Sequence, residues 1–277
     1  MNVEVVFLPP IATELPSRLC VVIDVLRATS TLVSMFESGV RGIRLAGSIQ
    51  SALAQAGTGP GRRFVCGESG GLAPAGFDYG NSPREFLPGT MDGKEAVFFT
   101  SNGTKAMRQL AGAPVVLAGC LLNASAVVRA ALREASERGL EIAVVCSGDH
   151  LGTRFAIDDA FTAGYLCSLM ERDGPAFLAE AAPSFGDGDE EDVSLDESAE
   201  AATRLYRSFL GDAGASDDAA VPPQEAILRA FWRSHNAQVL KKVGLSEDVL
   251  YCAQVDISAV VPRLRVEGDA LVLYSET

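Results

Sequence analysis

The sequence has few basic residues and almost no histidine. Its 277 residues carry 23 Lys and Arg against 36 Asp and Glu, which gives a formal net charge of −13. This is the wrong sign for binding the phosphate backbone of nucleic acids, so we expect no nucleic-acid partner. Only two histidines are present, His150 and His235, which excludes a histidine-rich binuclear metal centre.

Long apolar runs and paired cysteines are also missing. No stretch approaches the roughly 18 apolar residues that a membrane-spanning helix needs, and the first residues lack the basic and apolar segments of a signal peptide. The six cysteines are scattered without a CxxC pair, which is typical of reduced core thiols and not of a secreted disulfide scaffold. We therefore expect a cytoplasmic protein with no membrane partner.

Several catalytic signatures are absent. No GxxxxGK[ST] loop occurs, which excludes a P-loop nucleotide site. Two places after Asp24 stands Leu26, where haloacid-dehalogenase phosphatases have a second Asp. A thiol hydrolase using Cys146 beside His150 stays open as a distant alternative, because an apolar strand is typical of a structural thiol.

What is present is an alternation of apolar strand-like runs and amphipathic helical segments, the pattern of an α/β protein with helices on both faces of a mostly parallel sheet. Near-continuous apolar runs are typical of strands buried on both faces. The predicted strands are 19–25, 40–46, 62–67, 96–100, 114–118 and 141–147. The predicted helices between them are 28–38, 48–56, 103–111, 123–138 and 158–172.

The pattern changes after Gly174. An acidic run at 187–197 reads as a solvated loop, and helical spacing follows at 196–210 and 223–243, so we predict a helical subregion over 175–245 near the C-terminus. Strand-like runs at 251–275 with a turn at Glu267-Gly268-Asp269 predict a hairpin at a sheet edge. No linker requires a second domain, so we predict one domain over 1–277.

Polar residues follow several predicted strands. Asp24 follows the first strand, Glu68 the third, and Asn102, Gly103 and Thr104 the fourth. Ligands of open α/β sheets bind at the carboxyl ends of the strands, so we expect these residues to lie along one sheet edge. Small residues at a helix start bind anions through backbone N–H groups, although a Ser or Thr there more commonly caps the helix. Two carboxylates beside such a site suit Mg²⁺.

At these residues the chain resembles the 2-phosphosulfolactate phosphatase family. The matching segments are VVIDVLRATST (21–31), CGESGGLAPAGFDYGNSPREF (66–86), TSNGTKAM (100–107), LLNASAVVRA (121–130), CSGDHLGTRFAIDDAFTAG (146–164) and, more loosely, 234–262. The resemblance implies a three-layer α/β/α fold with a mixed sheet and Mg²⁺-dependent hydrolysis of the phosphate ester of a 2-hydroxy acid. The motif positions are Asp24, Arg27, Thr29, Glu68, Asp78, Asn81, Ser82, Asn102, Gly103, Thr104, Asp158 and Asp159.

We assign the roles of these residues by inference. Asp24, Arg27 and Thr29 form the catalytic group. Asp24 and Glu68, with Asp158 or Asp159, hold Mg²⁺.

Arg27 and the N–H groups of Gly103 and Thr104, after Asn102, hold the phosphoryl oxygens. Asn81 and Ser82 orient the acid end of the substrate.

Water is the preferred nucleophile, and an aspartyl-phosphate on Asp24 is the competing one. A non-catalytic module that binds a phosphorylated metabolite is the alternative function, and a homodimer is left open.

Overall fold

Ten strands in the described part of the chain form one mixed sheet, in the order β4-β5-β3-β10-β9-β6-β2-β7-β1-β8. The computed structural model describes residues 1–9, 15, 17–181, 192–212 and 222–276. The strands are β1 (Asn2–Val6), β2 (Arg18–Ile23), β3 (Gly42–Leu45), β4 (Phe64–Gly67), β5 (Glu95–Phe99), β6 (Val115–Gly119), β7 (Glu141–Cys146), β8 (Ser194–Leu195), β9 (Val261–Glu267) and β10 (Ala270–Glu276).

Helices cover both faces of this sheet, which confirms the three-layer α/β/α architecture. They are α1 (Ala28–Glu37), α2 (Ile49–Ala56), α3 (Gly103–Gln109), α4 (Ala124–Arg138), α5 (Ile157–Ala181), α6 (Glu197–Asp212), α7 (Gln224–Trp232), α8 (His235–Lys242) and α9 (Ser246–Cys252). Among the described residues, no helix is both long enough and apolar enough to cross a membrane.

The central strand β2 shows why its sequence is apolar at successive positions. Leu19, Val21 and Ile23 pack with α4, α5 and α6 in one core cluster. Cys20 and Val22 point to the other face and pack with α1 and α3. A strand buried on both faces has no polar side to show in its sequence.

Most strand pairs are parallel, but the sheet contains two groups of opposite direction. In the described chain, β3, β4, β5 and β9 run one way, and the remaining strands run the other. The carboxyl ends of the strands therefore lie at two opposite edges of the sheet. The prediction that they all lie at one edge is wrong. The two groups are joined by α1, which is buried from Ala28 to Phe36 and packs against strands of both.

The C-terminal hairpin lies inside the sheet and not at its edge, which corrects the prediction. β9 and β10 pair antiparallel around the predicted turn at Gly268, and they sit between β6 and β3. Leu271, Val272 and Leu273 are buried at consecutive positions, the pattern of an interior strand. Because one sheet contains strands from both ends of the chain, we keep the proposal of one domain over 1–277.

The helical subregion near the C-terminus is confirmed with different boundaries. The predicted helix 223–243 is two helices, α7 and α8, because Ser234 caps a new helix by accepting a hydrogen bond from the N–H of Ala237 at 3.0 Å. Residues 251 and 252 end α9 and are not strand. Positions 187–191 of the acidic run lie outside the described residues, and its last residues form β8 and the start of α6.

Candidate functional site

Loops after β2, β4, β5 and β7 and the start of α8 surround a cavity of about 290 Å³, called here the central cavity. Its wall includes Asp24, Arg27, Glu68, Asn81 and Asn102. Five of the predicted site residues are therefore brought together, although their strands run in opposite directions. The remaining predicted residues lie behind this wall or away from it.

Asp24 is held by the turn that begins α1. One carboxylate oxygen accepts a hydrogen bond from the N–H of Ala28 at 3.3 Å. The hydroxyl of Thr29 donates to the carbonyl oxygen of Asp24 at 2.9 Å. Thr29 is fully buried and does not line the cavity, so it positions the Asp24 turn and is not a catalytic residue.

Gly103 allows α3 to approach Asp24 closely. A Cβ at this position would lie 2.7 Å from Oδ2 of Asp24 and 2.7 Å from Cβ of Ala28. Any side chain at 103 would therefore displace either the carboxylate or the start of α1.

Glu68 follows β4 and is fixed by two backbone groups. Its Oε2 accepts from the N–H of Gly71 at 2.9 Å, and its Oε1 accepts from the N–H of Ser101 at 2.8 Å. These bonds connect the loop after β4 with the loop after β5. The Glu68 carboxylate thereby faces the same cavity as Asp24.

The carboxylates of this region repel one another. Burial raises the pKa of Asp24 to about 6, and the charge of Glu68 adds to this, while hydrogen bonds from the N–H groups of Ala28 and Gly103 act in the opposite direction. Burial also raises the pKa of Asp158 to about 7, opposed by a hydrogen bond from Asn236. A bound cation would favour the charged forms of these carboxyls.

Asp158 and Asp159 do not line the central cavity. Both oxygens of Asp159 accept hydrogen bonds, from the N–H of Val25 at 3.0 Å and from the hydroxyl of Ser147 at 3.0 Å. Burial and the charges of Asp158 and Asp24 raise the pKa of Asp159 well above its usual value. The structure therefore places these two carboxyls near Asp24 but not where they would contact a ligand in the cavity.

Arg27 is buried and held by a second buried charge. Its Nη1 donates to Oδ2 of Asp248 in α9 at 2.6 Å, and its Nη2 donates to the carbonyl oxygen of Gly71 at 2.7 Å. Oδ1 of Asp248 accepts from the hydroxyl of Ser82 at 2.7 Å. A guanidinium has five N–H donors, so these bonds leave donors of Arg27 for a ligand in the cavity.

Ser82 therefore supports Arg27 through Asp248, and the cavity wall does not include it. Asn81 does line the wall, and its Oδ1 is buried with no hydrogen-bond partner among the described residues. Asn102 accepts a hydrogen bond from the N–H of Leu151 at 2.8 Å. The predicted pair Asn81 and Ser82 thus separates into one residue at the cavity and one behind it.

One of the two predicted anion donors at the start of α3 is already bonded. The N–H of Thr104 donates to the hydroxyl of Thr100 at 3.0 Å, so it is not available to a phosphoryl oxygen. The N–H of Gly103 interacts with Asp24 and opposes the rise of its pKa. Asp78 is also away from the cavity, because it pairs with Arg62 at 2.9 Å.

Cys146 is not a candidate nucleophile. It is buried in β7, and burial together with the charges of Asp159 and Asp158 raises the pKa of its thiol well above the usual value. All six cysteines are buried and free, as the sequence predicted. A thiol that stays protonated inside the core does not attack a substrate.

Several residues of the site were missed by sequence reasoning. The cavity wall also contains Asp149, His150, His235 and Asn236, and Asp248 lies behind it. These wall residues come from two segments far apart in the chain, 149–150 and 235–236. Two signals pointed to them: Asp149 follows the predicted strand 141–147, and all four residues stand in segments matching the family motifs.

The donor atoms at the cavity suit a hard divalent cation. Asp24 and Glu68 offer carboxylate oxygens, and Asn81 offers an amide oxygen that is buried without a partner among the described residues. Oxygen ligands of this kind, completed by water, are those that Mg²⁺ prefers. The three residues therefore fit the metal implied by the sequence, with Asp158 and Asp159 outside the set.

Comparisons with known proteins show the family of the chain. A family model described as 2-phosphosulpholactate phosphatase matches residues 9–267. The chain is 36% identical over 253 residues to the "Probable 2-phosphosulfolactate phosphatase" of Thermus thermophilus, covering 91% of this chain and 90% of the relative. It is 37% identical over 249 residues to the protein of the same name in Deinococcus radiodurans, covering 90% and 88%.

Proposed function

Because the chain belongs to the 2-phosphosulfolactate phosphatase family, we propose that it hydrolyses (2R)-2-phospho-3-sulfolactate to 3-sulfolactate and phosphate in a Mg²⁺-dependent reaction. Membership of this family makes the chain a phosphoric monoester hydrolase. The substrate and the metal requirement are the parts that we propose.

One observation supports the proposal above the others. Two carboxylates, Asp24 and Glu68, share the wall of one cavity with the buried guanidinium of Arg27. A phosphate ester needs positive charge around its oxygens, and carboxylates alone would repel it. The arrangement is useful for phosphoryl transfer when the carboxylates hold a cation and Arg27 binds the phosphoryl oxygens directly.

Each residue has a defined task in this proposal. Asp24, Glu68 and Asn81 would hold Mg²⁺, which when bound draws negative charge from the phosphoryl group. Arg27 binds phosphoryl oxygens with the N–H donors that Asp248 and Gly71 do not occupy. Because Arg27 is fixed before the substrate arrives, little reorganisation is needed during the reaction.

Water is the nucleophile that we propose. Its oxygen forms a bond to phosphorus as the ester P–O bond breaks, and the two products are the free hydroxyl of the acid and inorganic phosphate. An aspartyl-phosphate on Asp24 is the competing intermediate. In both routes the protons of one water are shared between the products, so the reaction needs no further reactant.

The first test is phosphate release from phosphosulfolactate and phospholactate, with Mg²⁺ and then with excess EDTA. We expect release that EDTA abolishes and Mg²⁺ restores. Faster release from phosphosulfolactate would support the sulfonate as part of the substrate. Release that continues unchanged in EDTA would contradict the metal requirement.

Asp24→Asn is the variant that tests the carboxylate. We expect it to fold and to lose turnover by a factor of at least about 100, within the range for removing a group that stabilises the transition state. Asp173→Asn, an exposed carboxylate paired with Arg172, is the control and should keep normal turnover. Turnover that Asp24→Asn leaves near normal would refute the assignment. Binding of substrate without any turnover by the unmodified chain would favour the non-catalytic module instead.

A further inference from the structure

Asp149, His150 and His235 meet at the wall of the central cavity, and they are called here the His–Asp cluster. Oδ2 of Asp149 lies 2.8 Å from Nδ1 of His150 and 2.9 Å from Nδ1 of His235. The two imidazole rings have their centroids 5.2 Å apart. The mechanism proposed above uses none of these three residues.

We propose that the His–Asp cluster binds one divalent transition-metal ion, such as Zn²⁺ or Co²⁺, at a site separate from the oxygen ligands Asp24 and Glu68. Two imidazole nitrogens and one carboxylate oxygen lie close enough for one ion to contact all three. Bonds of about 2.1 Å to neighbouring ligands of an octahedral ion put those ligands about 3.0 Å apart. The Oδ2–Nδ1 distances in the cluster are close to this separation.

The chemistry of the ligands decides the class of ion. Imidazole nitrogen suits zinc, cobalt, nickel and copper, whereas Mg²⁺ is held by oxygen ligands and keeps its water. The oxygen ligands at Asp24 and Glu68 contain no nitrogen or sulfur donor. The cavity wall therefore offers Asp24 and Glu68 to a hard ion such as Mg²⁺, and the His–Asp cluster to an ion such as Zn²⁺ or Co²⁺ that also accepts nitrogen ligands.

The loop that carries His150 is held in place before any ion binds. His150 and Leu151 both have positive φ angles, 48° and 60°, which bend the chain tightly after β7. The N–H of Leu151 donates to Asn102 at 2.8 Å, and its carbonyl oxygen accepts from Nζ of Lys105 at 2.8 Å. Contacts with the start of α3 therefore fix the position of His150.

His235 is fixed by a different element, as the first residue of α8 after the cap Ser234. The next residue, Asn236, donates to Asp158 at 3.3 Å, so the start of α8 is tied to the buried carboxyls. Both histidine rings remain partly exposed, at 43% and 57% of the side chain, and are accessible to an ion from solvent.

Binding changes the hydrogen bonds of the cluster in a defined way. A ring that coordinates through Nδ1 carries its proton on Nε2. Arg154 lies 3.4 Å from Nε2 of His150 and would then have to turn away. Arg154 is exposed, so this movement is available to it.

The competing explanation is a hydrogen-bonded cluster in which Asp149 accepts from both rings and no ion binds. The test uses the untagged chain, stripped with a chelator and titrated with Co²⁺ while the visible absorption of the ion is followed. We expect one equivalent to bind with the spectrum of nitrogen and oxygen ligands and without a thiolate charge-transfer band, because all six cysteines are buried.

Variants distinguish the His–Asp cluster from the oxygen ligands. His150→Ala and His235→Ala should each weaken Co²⁺ binding by at least about 10-fold, since loss of a supporting contact alone has an effect of this size. Asp24→Asn should leave Co²⁺ binding unchanged. His235→Asn repeats the test with a polar side chain, and circular dichroism checks the fold of each variant.

The proposal is refuted if the stripped chain binds no Co²⁺, if both histidine variants bind it as the unmodified chain does, or if only Asp24→Asn loses binding. No substrate is present in the titration, so its result does not depend on the proposed phosphatase reaction.

Discussion

Replacing Asp248 by asparagine tests the buried ion pair that holds Arg27. The two side chains are 2% and 1% exposed, and Nη1 of Arg27 lies 2.6 Å from Oδ2 of Asp248. The asparagine side chain would keep the shape of the aspartate and could still accept one hydrogen bond. The charge that balances the guanidinium would be lost, although the cavity around it stays the same.

The expected loss follows from the burial of both partners. Removing one member of a buried ion pair lowers the free energy of unfolding by about 3–5 kcal/mol, because the other charge is left uncompensated in a region of low dielectric constant. Asp173→Asn is the matched control, since its pair with Arg172 has side chains that are 40% and 32% exposed. Exposed pairs contribute about 0–1 kcal/mol.

Urea unfolding at pH 7, followed by circular dichroism, measures both variants against the unmodified chain. The reasoning is refuted if Asp248→Asn loses less than about 1 kcal/mol, the range of an exposed pair, or if Asp173→Asn loses as much as Asp248→Asn. Turnover of the folded Asp248→Asn variant should also fall, because Arg27 is free to move away from the phosphoryl oxygens.

Three further predictions concern other parts of the site. Gly103→Ala should lower the free energy of unfolding by about 1–3 kcal/mol because the new Cβ overlaps Asp24 and Ala28. Gly112 has open space around it, so Gly112→Ala should have little effect in the same urea assay. Without metal, the melting temperature should be higher at pH 5 than at pH 8. Burial raises the pKa of Asp24 to about 6 and the pKa of Asp158 to about 7. The folded chain therefore holds protons that the unfolded chain releases near pH 4, and its stability falls as the pH rises through these values. Asp158→Asn should reduce that difference, and a higher melting temperature at pH 8 would contradict the pKa directions. Cys146→Ser should keep the turnover of the folded protein while lowering its stability, and loss of turnover without loss of fold would restore the thiol as a candidate nucleophile.

Apart from β1, the strands and helices of the first 150 residues could be predicted because their local signals agree. The run at 19–25 is apolar at every position that lies inside β2, and the segments at 28–38 and 103–111 become α1 and α3. β1 and α9 were missed. β1 is a short strand near the N-terminus, and α9 has seven residues, so neither gives a periodic signal over a long window.

The relative placement of these elements could not be predicted. Which strands neighbour each other, and in which direction, depends on long-range contacts such as those of β10 with β3. The sequence placed Asp24 and Glu68 at the ends of strands, which is correct locally. Their convergence depends on α1, which packs between two groups of strands that run in opposite directions.

Site residues were predictable where a residue type and a strand end coincide, as at Asp24 and Glu68. They were not predictable where the role depends on a partner distant in sequence. Thr104 has the residue type and position of an anion ligand, but its N–H is taken by Thr100. Asp248 has no motif of its own and becomes important only because Arg27, 221 positions earlier, is buried against it.

The helical subregion near the C-terminus therefore belongs to the site and is not a peripheral addition. α9 supplies Asp248, the counter-charge of Arg27, and the start of α8 supplies His235 and Asn236 at the cavity wall. Without this region the guanidinium of Arg27 would lose its counter-charge and keep only its bond to the carbonyl oxygen of Gly71. A buried charge without a counter-charge costs several kcal/mol. Arg27, in the loop after β2, is held as a cation at the cavity because its charge is balanced by Asp248, which lies in a helix 221 residues later in the chain.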